Sequence, residues 1–131
     1  MREERILVLP AGDDTALVNT LQRKAAVVLQ KSIREGFGLT VAEAMWKGTP
    51  VIGGNVGDIP NQIEDGMNGF LVSSVEEAAG RIIQLLKDKR LREQMGEKAR
   101  ASVAERYLLT RYLEQYLDLF GSFETIFRLR P

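Results

Sequence analysis

The chain has 131 residues, with 18 Lys+Arg against 18 Asp+Glu, and contains no His and no Cys. Its length suits one domain with a real core, and 44% apolar with 27% charged residues is the balance of a soluble globular chain. Zero net charge argues against a nucleic-acid binder or a basic membrane-surface protein. The missing residue types exclude disulfides, thiol nucleophiles, imidazole bases, a Ser-His triad and typical zinc sites. Chemistry must therefore rest on carboxylates, Lys, Arg, hydroxyls or backbone amides. No apolar run approaches the roughly 18 residues of a membrane span. The opening MREERILVLPAGDD lacks the apolar region and cleavage site of a signal peptide. A cytoplasmic protein with no nucleic-acid or membrane partner is the expectation.

Along the chain, Arg5–Leu9 reads as a buried strand ended by Pro10, Gly12 and Asp13-Asp14. Asp14 can cap a helix over Thr15–Lys24, with Leu17, Val18 and Leu21 at helical spacing. Ala26–Gln30 is a second apolar run, followed by the loop Lys31–Gly38. Thr40-Val41-Ala42-Glu43 has the form of a capping box and opens a helix through Trp46, which Gly48 and Thr49-Pro50 end. Val51-Ile52 is a third strand leading into the loop Gly53–Gly57, and Pro60–Glu64 reads as one helical turn. After the turn-rich Asp65–Gly69, Gly69–Val72 is a fourth short strand. Ser73 or Ser74 caps a helix with apolar positions Ala79, Ile82, Ile83 and Leu86, and Leu91, Met95, Ala99 and Val103 continue the helical period. A last amphipathic helix carries Tyr112, Leu113, Tyr116, Leu117 and Phe120 up to Gly121, and Ser122–Pro131 forms a tail.

Continuous apolar strands alternating with helices predict an α/β fold: a parallel sheet flanked by helices, with a helical C-terminal half. In such sheets ligands bind at the carboxyl ends of the strands, here the loops after Leu29 and Ile52. Eight of the 12 glycines lie between Gly36 and Gly69, where the backbone must turn tightly or approach a ligand. The segment Glu35–Glu43 places a Gly-rich turn before a helix whose first amides come from Leu39, Thr40 and Val41. Those amides lack intrahelical acceptors and suit phosphate. Eight helical residues would separate Glu35 from Glu43 by on the order of 12 Å, a spacing that lets two carboxylates grip hydroxyls on either side of a diphosphate. Plainer roles compete at each position. Glu43 can complete the capping box with Thr40, and Glu35 can form a solvated pair with Arg34. Gly36, Gly38, Gly53, Gly54 and Gly57 can serve turn geometry alone, and Asp58 reads as a turn or cap residue. Trp46 reads most simply as core, Lys87–Arg92 as a solvated helix face, and Lys31 and Lys47 have no assignable role.

Ser32–Met45, with Glu35-Gly36-Phe37-Gly38-Leu39-Thr40-Val41-Ala42-Glu43 at its centre, resembles the E-x7-E region of retaining glycosyltransferases with two Rossmann-like domains, the GT-B fold. Gly48–Gly53, Gly57 and Asp65–Val72 continue that pattern in order, and the wording around Ser32–Val41 and Glu43–Gly48 is similar to the trehalose-forming members. The resemblance covers roughly residues 5–121, as the later part of the family's C-terminal domain. It implies a partial nucleotide-sugar-binding Rossmann-like domain over residues 1–121, with 122–131 as a tail.

By resemblance, the donor is a nucleoside diphosphate glucose and the acceptor a sugar hydroxyl, as in trehalose formation. Glu35 would contact donor-sugar hydroxyls and help stabilise positive charge at the reacting carbon. The amides around Gly36, Phe37, Gly38, Leu39 and Thr40 would face sugar or diphosphate, and Glu43 would accept from the ribose hydroxyls. No metal and no cofactor is implied. The family's phosphate-gripping Arg and Lys, its acceptor domain and two central strands have no counterpart here. The chain alone is thus expected to be inactive, and to need an N-terminal Rossmann-like half or a second copy of itself. The rival expectation is a module that binds nucleotide sugar, or oligomerises, without catalysis.

Overall fold

Val51 and Ile52 are adjacent strand residues, so their side chains leave opposite faces of the sheet, and each is fully buried. Helices must therefore cover both faces, and that requirement organises the chain. The computed structural model describes residues 6–9 and 14–128, with only the backbone described for 123–128. The sheet has three parallel strands in the order β1 (Val28–Gln30), β2 (Val51–Gly54) and β3 (Phe70–Val72), with Val28 opposite Val51 and Ile52 opposite Phe70. The helices are α1 (Thr15–Lys24), α2 (Leu39–Trp46), α3 (Ile59–Gln62), α4 (Val75–Lys87), α5 (Lys89–Arg106) and α6 (Leu109–Arg128). One core gathers Val51 with Val41, Ala44 and Met45 of α2, Ile59 and Ile63 around α3, and Ala99 and Val103 of α5. The other gathers Ile52, Phe70 and Val72 with Ala78 and Leu85 of α4 and Met95 of α5. A single long helix, α5, thus contributes to both layers.

Several expectations change. Ile6, Leu7, Val8 and Leu9 form no strand, and all four are exposed. A strand needs a neighbour for its amides, and no described strand pairs with this run. The rest of that reading, Arg5 and the turn at Pro10, Gly12 and Asp13, lies outside the described residues. Gly53 and Gly54 belong to the buried strand β2 rather than to a loop. On α4 the core stripe is Ala78, Ile82 and Leu85, one residue out of step with Ala79, Ile83 and Leu86, which are exposed. The charged run Lys87–Arg92 is a helix junction. Asp88 ends α4 and caps α5 by accepting from the Leu91 amide at 2.9 Å, while Arg92 Nη1 donates to the Leu85 carbonyl at 2.8 Å. Gly121 does not end the last helix, which runs on to Arg128, so no break in the backbone separates residue 122 from what precedes it; 129–131 lie outside the described residues. Trp46 is 37% exposed, its ring covered by the Arg100 guanidinium at 5.2 Å.

Gly96 explains how α5 lies so close to the turn after α2. A Cβ at this position would fall 2.1 Å from the Gly48 carbonyl oxygen. Farther along, the C-terminal end of α5 is tied to α3. Arg106 Nη2 and Tyr107 Oη both donate to the Asn61 carbonyl, at 2.7 and 3.2 Å. The Tyr107 ring meets Phe37 edge-on, with centroids 5.6 Å apart. Burial pushes the Tyr107 phenol above its ordinary value of 10.0; the Arg106 cation partly opposes this, and Asp58 and Tyr112 add to it.

Gly96→Ala is expected to destabilise the fold by about 2 kcal/mol in urea unfolding, because overpacking against backbone outweighs the gain in helix propensity. Gly80→Ala, on α4 with open space around its Cβ position, is expected to stabilise by about 0.5–1 kcal/mol. The folded chain holds the Tyr107 proton to higher pH than the unfolded chain does. Its contribution is therefore complete below pH 10.0 and is lost as pH rises through the raised value. Phenolate absorbance should show one late-titrating tyrosine, and Tyr107→Phe should remove both that step and part of the alkaline loss of stability.

Candidate functional site

The parallel pairing of β1 and β2 brings their following loops to the same end of the sheet. There the Asp58 amide donates to the Gly36 carbonyl at 3.1 Å. Gly57, with φ 57°, lies so close that a Cβ would fall 2.0 Å from the Glu35 carbonyl oxygen. A residue with a side chain at 57 would push the first loop out of position. The loop is held from below as well, since the fully buried Gln62 donates through Nε2 to the Phe37 carbonyl. Gln62 Oε1 has no partner among the described residues, an arrangement that costs about 1–3 kcal/mol. Three neighbours thus shape the segment that runs into α2.

Gly38, at φ 75°, is the N-cap of α2, with no side-chain cap. The capping box expected from Thr40 and Glu43 does not form, because the helix begins at Leu39 and Thr40 is already inside its first turn. Val41, expected among the free amides, donates to the Gly38 carbonyl at 2.9 Å. The Gly36 amide is occupied by Glu35 Oε1 at 3.1 Å. The Leu39 and Thr40 amides have no acceptor among the described residues and stand at the positive end of α2, an arrangement suited to an anion.

Glu35 is half-buried. Besides the Gly36 amide, its carboxylate accepts from Gln30 Nε2 and Ser32 Oγ, both at 3.0 Å. This orientation replaces the solvated pair with Arg34, and an open depression of about 350 Å³ lies over Arg34, Glu35 and Gly36. Glu43 stands on the exposed face of α2, where Oε2 accepts from Gln22 Nε2 at 3.3 Å. It borders two depressions. One, of about 480 Å³, is lined by α1 residues including Asp14, Asn19 and Arg23, with Trp46 and Lys47. The other, of about 430 Å³, is lined by Phe37, Leu39, Trp46, Tyr107 and Tyr112. The expected residues Glu35, Gly36, Phe37, Gly38, Leu39, Thr40 and Glu43 thus form one continuous lip at the carboxyl end of the sheet. Gln22, Gln30, Ser32 and Gln62 were not legible as site residues. Ser32 opens the segment that carries the resemblance without a role of its own there, and Gln30 adjoins that segment, so proximity was its only signal. Gln22 is the one buried residue of α1, on a helix whose apolar residues suggested a different inner face.

Residues 2–102 match the family described as glycosyl transferases group 1. The chain is 51% identical over 118 residues to the trehalose synthase of Pyrococcus horikoshii, covering 90% of this chain and 28% of that protein. It is 47% identical over 119 residues to the trehalose synthase of Thermococcus litoralis, covering 91% and 29%. Among solved structures, HepE of Anabaena in complex with UDP-glucose superposes with a TM-score of 0.71 at 26% identity, covering 80% of this chain and 30% of that one. Sucrose-phosphate synthase of Thermosynechococcus elongatus superposes with a TM-score of 0.68 at 28% identity, covering 78% and 26%. The chain therefore spans less than a third of the length of these relatives. Its sequence and its parallel sheet agree in placing it within the glycosyl transferases group 1 family.

Proposed function

We propose that the chain is the donor-binding part of a retaining glycosyltransferase that takes glucose from a nucleoside diphosphate glucose to a sugar hydroxyl, as in trehalose formation. The observation that carries this reading is the glycine-bearing loop at the end of β1, which leads into the free Leu39 and Thr40 amides of α2 with one carboxylate on each side. The amides would take the diphosphate without a metal ion, which favours placing the sugar toward Glu35 and the ribose toward Glu43. Gln30, Ser32 and the Gly36 amide hold Glu35 as an acceptor. In that state it can bind sugar hydroxyls and stabilise positive charge at the anomeric carbon as the bond to the diphosphate breaks. The acceptor side would come from a part of the protein beyond these residues.

A second reading, an assembling module without catalysis, draws on two observations. Tyr112, Leu113, Tyr116, Leu117 and Phe120 of α6 are all exposed, and β1 is an edge strand. Such apolar surface fits burial against an N-terminal Rossmann-like half or a second copy of the chain. A monomer at micromolar concentration in analytical ultracentrifugation would remove the self-assembling version.

Titration calorimetry should detect UDP-glucose binding, and absence of heat would overturn the donor-site reading. With α2 capped by Gly38 rather than by a capping box, Glu43→Ala should cost only the bond from Gln22, about 1 kcal/mol in unfolding, and weaken UDP-glucose roughly tenfold or more. The chain alone should form no glucosylated product, so measurable transfer would contradict the need for a separate acceptor side.

A further inference from the structure

Gln22, at 6% exposure, lies between two charged groups one turn apart, one on α2 and one at its C-cap. Lys47 Nζ donates to its Oε1, and its Nε2 donates to Glu43 Oε2 at 3.3 Å. An ammonium can only donate and a carboxylate can only accept, so these neighbours leave the amide one orientation that satisfies both. The backbone is pinned too, because the buried Thr49 hydroxyl donates to the Gln22 carbonyl at 2.6 Å. Gln22 is thereby fixed at both ends of the residue, while Glu43 is a long exposed side chain with rotamer freedom of its own.

We propose that Gln22 is a positioning residue: it holds Glu43 through Oε2 and leaves Oε1, which has no partner among the described residues, to accept from the paired hydroxyls of a ribose. This rests on the reading of Glu43 as the ribose-binding carboxylate. The pull of Lys47 on the amide oxygen strengthens the opposite N–H as a donor, so the cation acts on Glu43 through the amide. Other side chains of similar length cannot do this. A carboxylate at 22 would face Glu43 with like charge, and a thioether has no N–H to donate to Glu43.

The single tryptophan, Trp46, borders both depressions beside Glu43 and supplies a fluorescence signal for binding. The wild-type chain would be titrated with UDP, 2′,3′-dideoxy-UDP and inorganic diphosphate, alongside Gln22→Met, Gln22→Glu and Glu43→Gln. The expected result is a wild-type preference for UDP over the dideoxy compound. That preference should fall by about three- to tenfold in Gln22→Met and vanish in Gln22→Glu, with diphosphate affinity unchanged in both. A merely structural role for Gln22 would instead weaken all three ligands together with the melting temperature. If Glu43→Gln loses the preference while both Gln22 variants keep it, the positioning role is overturned and the ribose reading survives. If the wild-type chain binds UDP and dideoxy-UDP equally, or neither, the ribose reading fails and the role of Gln22 fails with it.

Discussion

The contact between the Gly57 backbone and the Glu35 carbonyl sets the shape of the whole carboxyl end of the sheet. Parallel pairing of β1 with β2 forces two loops into adjacent positions, and only a residue without a side chain lets them touch. Once the first loop is fixed there, its direction into α2 follows, and Gly38 turns the chain so that the Leu39 and Thr40 amides face outward. The carboxylate of Glu35 is oriented by the end of the strand before it and by the amide after it. The lip thus sets backbone amides placed by geometry between two carboxylates, Glu35 and Glu43. That suits a chain with no histidine and a balanced charge.

Buried polar groups do a share of this work usually given to apolar packing. Gln22, Thr49, Gln62 and Asn68 are all buried, and each joins segments distant in the fold or closes a turn. Asn68 closes the turn before β3, its Oδ1 accepting from the Glu64 amide at 2.8 Å. Such bonds add little net stability each, but the wrong register would leave these groups unsatisfied, so they select one arrangement. The two apolar clusters supply the driving force, and the amides and hydroxyls decide the register of helices over strands.

Much of this was legible in the chain itself. The order of strands and helices from Ala26 onward, the caps at Asp14 and Ser74 and the stop at Gly48 follow from periodicity and turn chemistry. The lip from Glu35 to Glu43 was legible because glycines, a helix start and acidic residues fall within nine positions. What failed did so for non-local reasons. Ile6–Leu9 has strand composition, but pairing depends on a neighbour that composition cannot supply. Thr40 and Glu43 have capping-box spacing, yet the loop packing on Gly57 and Gln62 starts the helix earlier. Gln22 and Trp46 exchanged the roles their polarity suggested, because α1 meets α2 through an amide and leaves the indole at a rim.

The tie of Arg106 and Tyr107 to the Asn61 carbonyl has a mechanical side. It anchors the root of α6 to the short helix behind the lip, while the described side chains of α6 remain in solvent. With 20 residues, α6 extends roughly 30 Å beyond that tie. A rotation of about 10° there would swing the far end by about 5 Å over that length. The placement of the far end of α6 is therefore set, geometrically, by the same small group of residues that meets Phe37.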